Sequence, residues 1–402
     1  MYLPDAVCKI LSVFKENNIE AYTVGGSVRD SLLLKKPEDF DITTAADPQQ
    51  VKALFRSNKV IETGIKHGTV TVIMDSLPVE ITTYRVEAAY SDRRHPDSVI
   101  FSKSLRDDLS RRDFTVNAIC YHPEQGFYDP FDGRGDLDKK IIRTVGEAEK
   151  RFSEDALRIL RALRFSSVLG FEIEEKTKKA VFSSKELLKN VSKERVFVEF
   201  KKLLCGQSAG AVLKEFFSVL PFAVETLRPF ADFDTDFTAL DRMEKDEPLL
   251  LAAFFISLAK KSDALSLAKE TLILLKSDRK TRGITELIIE EYKNRPPSDL
   301  PGIKKFLGRV GEENVERVIS LWSGFGVCQK ETADRILFQA QGITQRGECY
   351  KISHLKIGGE ELLNLGIPPK NIGKVLGALL EAVILDRCPN EKSALLDYVK
   401  EV

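Results

Sequence analysis

Cysteine is scarce and scattered in this chain. The six thiols stand at positions 8, 120, 205, 328, 349 and 388, with no CxxC among them. That spacing excludes a zinc ribbon and a disulfide framework, and reduced thiols fit a cytoplasmic setting. Net charge is also absent, since 61 basic residues face 61 acidic ones. A generally basic nucleic-acid coat is therefore excluded, whereas a local basic face is not. No apolar run reaches the roughly 20 residues needed to span a bilayer. The start, "MYLPDAVCKILSVFKENN", mixes acids and lysines in a helical pattern. It lacks the basic opening and apolar centre of a signal peptide, so no membrane association is expected. Neither a fixed-period repeat nor a low-complexity tract is present.

What is present is an ordinary apolar fraction, 43% of 402 residues. That suffices for sizeable cores, and the length suggests about two to four structural units. The first 140 residues or so mix helix and strand signals. Residues 5–17 have helical spacing, "AYTV" is a short strand, and "SVRDSLLL" opens a helix. "FDITT", "GTVTVIM" and "VEITTYR" alternate like strands. "YDPFDGRGDLDKKIIRT" reads as turn-rich and then strand-like. From about Ser153 the texture becomes helical, through 153–170, 174–190, 192–205, 209–220, 247–260, 266–276, 313–322, 360–365 and 368–386. Pro296, Pro297 and Pro301 mark a joint.

The densest chemistry lies in "AYTVGGSVRDSLLLKKPEDFDITT", residues 21–44. Gly25 and Gly26 sit between a strand and a helix, where a missing Cβ permits tight turns and close ligand approach. Helix-start N–H groups favour phosphate. Ser27 adds a hydroxyl, and Arg29 a fork suited to phosphate oxygens. Val28 and Leu32 are expected to pack inward. Asp39 and Asp41, two apart on one strand, share a face, while Phe40 and Ile42 point to the core. Paired carboxylates suit Mg²⁺, and two such ions can clamp an in-line phosphoryl displacement. The plainer reading is a sharp turn followed by a solvated acidic strand. Other DxD patterns, Asp136 with Asp138 and the run Asp232, Asp234, Asp236, read as turn or solvated surface. Glu80 in "VEIT" is either a third carboxylate of the pocket or an exposed strand residue. His67 in "KHGTV" has no second histidine nearby and reads as structural.

Together, "VGGSVRDSLL…DFDITT", "TGIKHGTVTV", "VEITTYR", "RRDFTVNAI", "DPFDGRGDL" and "IIRTVGEAEKRFSEDALRILRALRF" resemble the blocks of the class II tRNA nucleotidyltransferase and bacterial poly(A) polymerase family, in family order. The resemblance implies a fold and a reaction. The fold is an α/β nucleotidyltransferase head of the DNA polymerase beta-like kind, followed by an all-helical neck, body and tail. The units are expected at 1–140 (catalytic head), 141–205 (neck with the nucleotide-selecting helix), 206–300 (body) and 301–402 (tail, binding tRNA). The reaction is template-independent addition of CCA to the 3′ end of tRNA from CTP and ATP, with pyrophosphate released by a two-metal mechanism. The implied roles are Asp39 and Asp41 for Mg²⁺, Glu80 as a further catalytic carboxylate, and Gly26, Arg29 and Arg112 for the nucleotide. Alternatives are an A-adding tRNA enzyme, a poly(A) polymerase or, in another class, a catalytically silent RNA-binding protein. Nothing in the sequence implies a stable protein partner or an oligomeric state.

Choosing C and A without a template needs donors and acceptors held by protein. "SEDALRILRAL" reads as one helix capped by Ser153, with Ala156, Ile159, Leu160 and Leu163 facing a core. Asp155, Arg158 and Arg161 form a stripe, and Arg164 lies at its edge. Asp155 can accept from an exocyclic amine, which C and A carry and U and G lack at that position, while Arg158 donates beside it. The resemblance supports this, because family members use an EDxxR motif as a protein template. The plainer reading is a surface i,i+3 ion pair. The loop "YRVEAAYSDRRHPDSV", residues 84–99, resembles a flexible loop whose presence favours adding A as well as C. From Lys139 to Arg164, eight basic residues outnumber four acidic ones, a candidate phosphate track. Lys356, Lys370 and Lys374, with Gly358-Gly359 and Pro368-Pro369, suggest a second RNA contact. Some relatives carry an HD-type hydrolase segment. "LLLAAFFISLAKKS" has no His-Asp pair, so no phosphohydrolase activity is expected.

Overall fold

The computed structural model describes residues 1–87, 99–259 and 263–401. The chain divides into two compact units, Met1–Phe233 and Asp234–Val402. The first unit begins with helix α1 (Asp5–Glu16) and a mixed seven-stranded sheet. Its strands are β1 (Ala21–Val24), β2 (Asp41–Thr44), β3 (Lys59–Ile61), β4 (Thr69–Met74), β5 (Leu77–Thr83), β8 (Cys120–His122) and β9 (Gly126–Tyr128). They lie in the order β3-β4-β5-β2-β1-β8-β9. A separate hairpin pairs β6 (Arg85–Glu87) with β7 (Val99–Phe101). The loop expected to favour A addition, Tyr84–Val99, falls mainly on 88–98, outside the described residues.

Strand β1 is central, and all four of its residues are buried. It pairs antiparallel with β2 and β8, and β2 in turn runs parallel to β5. On β5 the alternation is complete: Val79 and Ile81 are buried while Glu80 is exposed. Phe40 and Ile42 enter the same core as Val79, Ile81 and Phe14. Strand β2 begins only at Asp41, so Asp39 precedes it. The reason is local: Val24 opposite Asp41 is the last residue of β1 before the chain turns at Gly25.

Helix α2 (Gly26–Leu32) follows that turn, with Val28 buried and Leu32 only half-buried. Next in the unit come α3 (Pro48–Leu54) and α4 (Leu105–Ser110), the latter capped by Ser104 accepting from the Asp107 N–H. Residues 133–139, expected as turn, form a helix, α5. A Cβ on Gly133 would stand 2.2 Å from the Thr115 carbonyl oxygen. This glycine is thus needed for close packing, which a sequence cannot distinguish from a turn. Asp136, expected at the surface, is buried and accepts from Thr115 Oγ1 at 2.6 Å and Arg143 Nε at 3.1 Å.

The expected single helix from Ser153 is two helices. Helix α6 (Ala148–Glu154) ends at Asp155, which has extended backbone (φ −143°, ψ 103°), and α7 (Leu157–Leu169) follows. Ser153 lies in the last turn of α6 and donates to the Lys150 carbonyl. The cap is Asp155 itself, whose Oδ1 accepts the Leu157 N–H at 3.1 Å. Short polar side chains compete for backbone N–H groups in this way and break helices. Helices α8 (Glu175–Ser184) and α9 (Lys193–Leu204) complete the surroundings, with α9 against α7. Ala156, Ile159, Leu160 and Leu163 are buried as expected.

The second unit is helical. Its helix Glu247–Leu258 is buried on all sides from Leu249 to Phe255. Pro301 opens the helix Leu300–Val310, which Asp299 caps through the Gly302 N–H. No helix among the described residues is long and apolar enough to cross a membrane.

Candidate active site

The acidic centre is assembled by sheet register. Asp41 is the register partner of both Val24 on β1 and Glu80 on β5. Burial, and then the charges of Asp39 and Glu80, push the Asp41 carboxyl up to about 6, while Arg112 pulls it down. The Asp41 carboxylate therefore senses two others, one from its own segment and one from the neighbouring strand. Their mutual repulsion is what a divalent cation relieves, and hard carboxylate oxygens suit Mg²⁺. Among the described residues no group of three or more His, Cys, Asp or Glu side chains is arranged to hold a metal alone. Two carboxylates with substrate phosphate and water would still complete a shell for Mg²⁺.

Gly25 makes the turn above this centre with φ +77° and ψ −133°, a conformation suited to glycine. A Cβ there would lie 3.4 Å from Arg112 Nη1 and 3.8 Å from Asp41 Oδ2. Gly25 thus keeps open the space between the cation and the carboxylate. Gly26 is less constrained, since a Cβ there would stand 3.7 Å from Arg29 Nη2. Arg112 is anchored by Nη2 at 3.4 Å from Asp108 Oδ2, and its Nε is buried without a hydrogen-bond partner. Asp108 is fully buried and also accepts from Thr43 Oγ1 at 2.9 Å and Arg111 Nη2 at 2.7 Å. Burial raises its carboxyl, but Arg112 and Arg111 hold it below the usual range.

The remaining arginines gather round one ring. The guanidinium carbons of Arg29, Arg161 and Arg164 stand 5.1, 5.4 and 3.8 Å from the Phe165 ring centroid. Arg29 donates to Asn117 Oδ1 at 2.7 Å and to both oxygens of Asp30. Asn117 in turn donates to Asp113 Oδ1 at 3.1 Å, and Arg161 Nε donates to Asp113 Oδ2 at 2.8 Å. Burial opposes ionisation of Asp113, yet Arg161, Asn117 and the Phe114 N–H bring its carboxyl down to about 2. Glu199 on α9 serves two cations: Arg161 Nη1 at 3.6 Å, and Arg164 Nε at 2.7 Å in an ion pair without hydrogen-bond alignment. Burial pushes Arg164 down to about 10 against the pull of Glu199. A chain of polar contacts thus runs from α2 to α9.

The expected stripe on α7 is broken. Asp155 lies before the helix and pairs with Arg195 Nη2 at 2.7 Å. Arg158 is buried, donating to Glu154 Oε2 at 2.6 Å and to the carbonyls of Arg151 and Arg111 at 3.1 and 3.0 Å. Asp155 and Arg158 are therefore not an ordinary surface pair. The expected phosphate track is also largely neutralised: Arg143, Arg151, Arg158, Arg161 and Arg164 all pair with acids. Exposed positive charge in that stretch stays on Lys139, Lys140 and Lys150. In the second unit Lys356, Lys370 and Lys374 are exposed, but the Gly358 N–H is taken by Glu361 Oε2 at 3.0 Å. His67 lends its carbonyl to Arg85. Sequence reasoning missed Asp108, Asp113, Asn117, Phe165, Arg195 and Glu199. The only signal was their position inside or beside "RRDFTVNAI", "RALRF" and "KERVFVEF".

Comparison with known proteins gives the same outline. Residues 21–143 match the poly A polymerase head domain, and 170–218 match a probable RNA and SrmB-binding site of polymerase A. The chain is 37% identical to the CCA-adding enzyme of Leuconostoc mesenteroides, over 98% of this chain and 95% of that one. It is 50% identical to the CCA-adding enzyme of Lactobacillus johnsonii over 204 residues, covering 50% of this chain and 51% of that one. Among solved structures, the Bacillus stearothermophilus CCA-adding enzyme in complex with CTP is similar over 100% of this chain and 98% of its own. Its TM-score is 0.83 and its identity 30%.

Proposed function

The chain belongs to the family of CCA-adding enzymes, and on that premise we propose how its own residues build the 3′-terminal CCA of tRNA from CTP and ATP. The observation that carries the reading is Asp41, under the charge of Asp39 and Glu80, facing Arg112 across Gly25. The tRNA 3′-hydroxyl attacks the nucleotide α-phosphate, and pyrophosphate leaves. Enzymes of this class typically use a divalent metal. Asp39 and Asp41 would hold Mg²⁺, which when bound withdraws charge from the phosphate and makes the hydroxyl more acidic. Glu80, beside Asp41 in register, adds negative charge that tightens this demand for a cation.

Arg112 is already anchored on one side by Asp108 and has an unpartnered Nε. It offers a preorganised cation to phosphate. Three of the five N–H donors of Arg29 are spent on Asn117 and Asp30, leaving two for the nucleotide. Gly26 keeps the backbone beside them open. Arg158 and Asp155 select the base, Asp155 by accepting from the amine of C or A. Arg161 and Arg164, tied to Asp113 and Glu199 around Phe165, border the nucleotide and hold that wall in place. The tail, 301–402, would bind the tRNA body through exposed lysines such as Lys370 and Lys374.

The test is direct. Purified protein is incubated with CTP, ATP and Mg²⁺ and either tRNA ending at the discriminator base or tRNA already ending in CC, and the 3′ ends are sequenced. Ends reading CCA support the proposal. A alone, added only to ends already carrying CC, would reassign the protein to A addition. A-tracts would make it a poly(A) polymerase, and unchanged ends would leave only RNA binding.

A further inference from the structure

The two adjacent acids at the joint between α6 and α7 serve different arginines. Glu154 is bound by Arg151 at 3.0 Å and Arg158 at 2.6 Å, both in the same stretch of chain. The extended backbone of Asp155 sends its side chain to α9 instead. There Arg195 Nη2 donates to Asp155 Oδ2 at 2.7 Å, while Oδ1 accepts the Leu157 N–H at 3.1 Å. The pair is 26% and 17% exposed at its side chains, so it is more than a solvated surface contact. Each carboxylate oxygen therefore has one lone pair committed and one remaining.

We infer that Arg195 is a positioning residue for nucleotide choice, fixing the Asp155 carboxylate so that only an exocyclic amine meets its remaining lone pair. The inference rests on the reading of Asp155 as the amine acceptor. The chemistry behind it is a difference of one ring position. C and A present an amine where U and G present a carbonyl, but U and G carry a ring N–H next to that carbonyl. A carboxylate free to shift by one atom can accept from that N–H and so admit the wrong base. A carboxylate pinned at both oxygens cannot follow. Arg195 thus acts against U and G more than in favour of C and A, which is selectivity by exclusion.

The experiment measures kcat/KM for CTP, ATP, UTP and GTP on matched tRNA ends, beside a thermal melt. It compares wild type, Arg195→Ala, Arg195→Lys, Asp155→Ala and the Arg195→Ala/Asp155→Ala double variant. Arg195→Ala is expected to lower the CTP:UTP and ATP:GTP ratios about tenfold, chiefly by raising use of UTP and GTP. Arg195→Lys retains part of the ratio, because a single donor survives. In the Asp155→Ala background, Arg195→Ala is expected to change the ratios no further, because Arg195 acts through Asp155. Should the alanine variant melt early, Arg195→Met keeps the aliphatic stem without donors and carries the same expectation. Wild-type ratios in Arg195→Ala or Arg195→Met, with reduced ratios in Asp155→Ala, overturn the inference and leave the base-reading role standing. Wild-type ratios in Asp155→Ala overturn both.

Discussion

Asp41 and Glu80 are register partners across the parallel β2–β5 pairing, and Arg112 reaches the same space past Gly25. This relationship places negative charge where a cation and a triphosphate have to meet. It predicts that Asp39→Ala or Asp41→Ala lowers addition of both C and A by at least ~10³, about 4 kcal/mol of transition-state stabilisation. Both additions share the same carboxylates. Single-turnover rates with CTP and with ATP check this, and near-normal turnover in either variant would remove the metal assignment.

The glycine pair is expected to be unequal. Gly25→Ala forces a side chain into φ +77° and puts a Cβ 3.4 Å from Arg112 Nη1. The backbone strain alone costs about 1–3 kcal/mol. Gly26→Ala meets only the end of the Arg29 side chain at 3.7 Å. Thermal melts should show the larger loss for Gly25→Ala. Equal melting temperatures would mean that the turn relaxes without penalty.

Asp113 makes part of the stability pH-dependent. Its carboxyl is held at about 2 in the folded chain, below the ~3.9 of an unfolded aspartate. The sign follows: the folded state favours the ionised form, so its contribution is complete above about pH 4 and is lost as pH falls through about 2. At neutral pH that contribution is roughly 2 kcal/mol. Asp113→Asn should melt lower at pH 7 and show a flatter loss of stability between pH 4 and 2. Parallel acid-unfolding curves for variant and wild type would refute this.

Binding of tRNA should weaken steeply with salt, because a neutral chain meets RNA through local exposed lysines. Lys370→Glu with Lys374→Glu should weaken binding and flatten its salt slope, while the melt stays put because both side chains are exposed. Filter binding across a salt series measures this. A wild-type affinity that does not change with salt would exclude a phosphate-led interface.

Much of the acidic centre was readable in order. Glycine pairs, alternating β-branched residues and two aspartates are local signals, governed by backbone sterics and a period of two. They place Asp41 beside a strand-to-helix turn without any knowledge of neighbours. The same local rules failed at Gly133 and Asp136. A glycine chosen for packing against Thr115 and an aspartate buried under Arg143 look like a turn and a surface when only the chain itself is read.

The sequence by itself determined the head of mixed strands, the helical remainder, the glycine turn and the carboxylates, because each is written in residues close together in the chain. The arginines between 143 and 164 read as a free basic face. Tertiary structure decided how the charges at the far end of that stretch are spent. Asp113 and Glu199, distant in sequence, take up Arg161 and Arg164, while Asp136 and Glu154 pair with Arg143, Arg151 and Arg158 from close by in the chain. The Asp155 side chain breaks the helix locally by capping the Leu157 N–H, but it was tertiary structure that handed the same carboxylate to Arg195, forty residues on. Ion pairs form wherever folding brings opposite charges within a few ångströms, and sequence spacing carries no record of that distance.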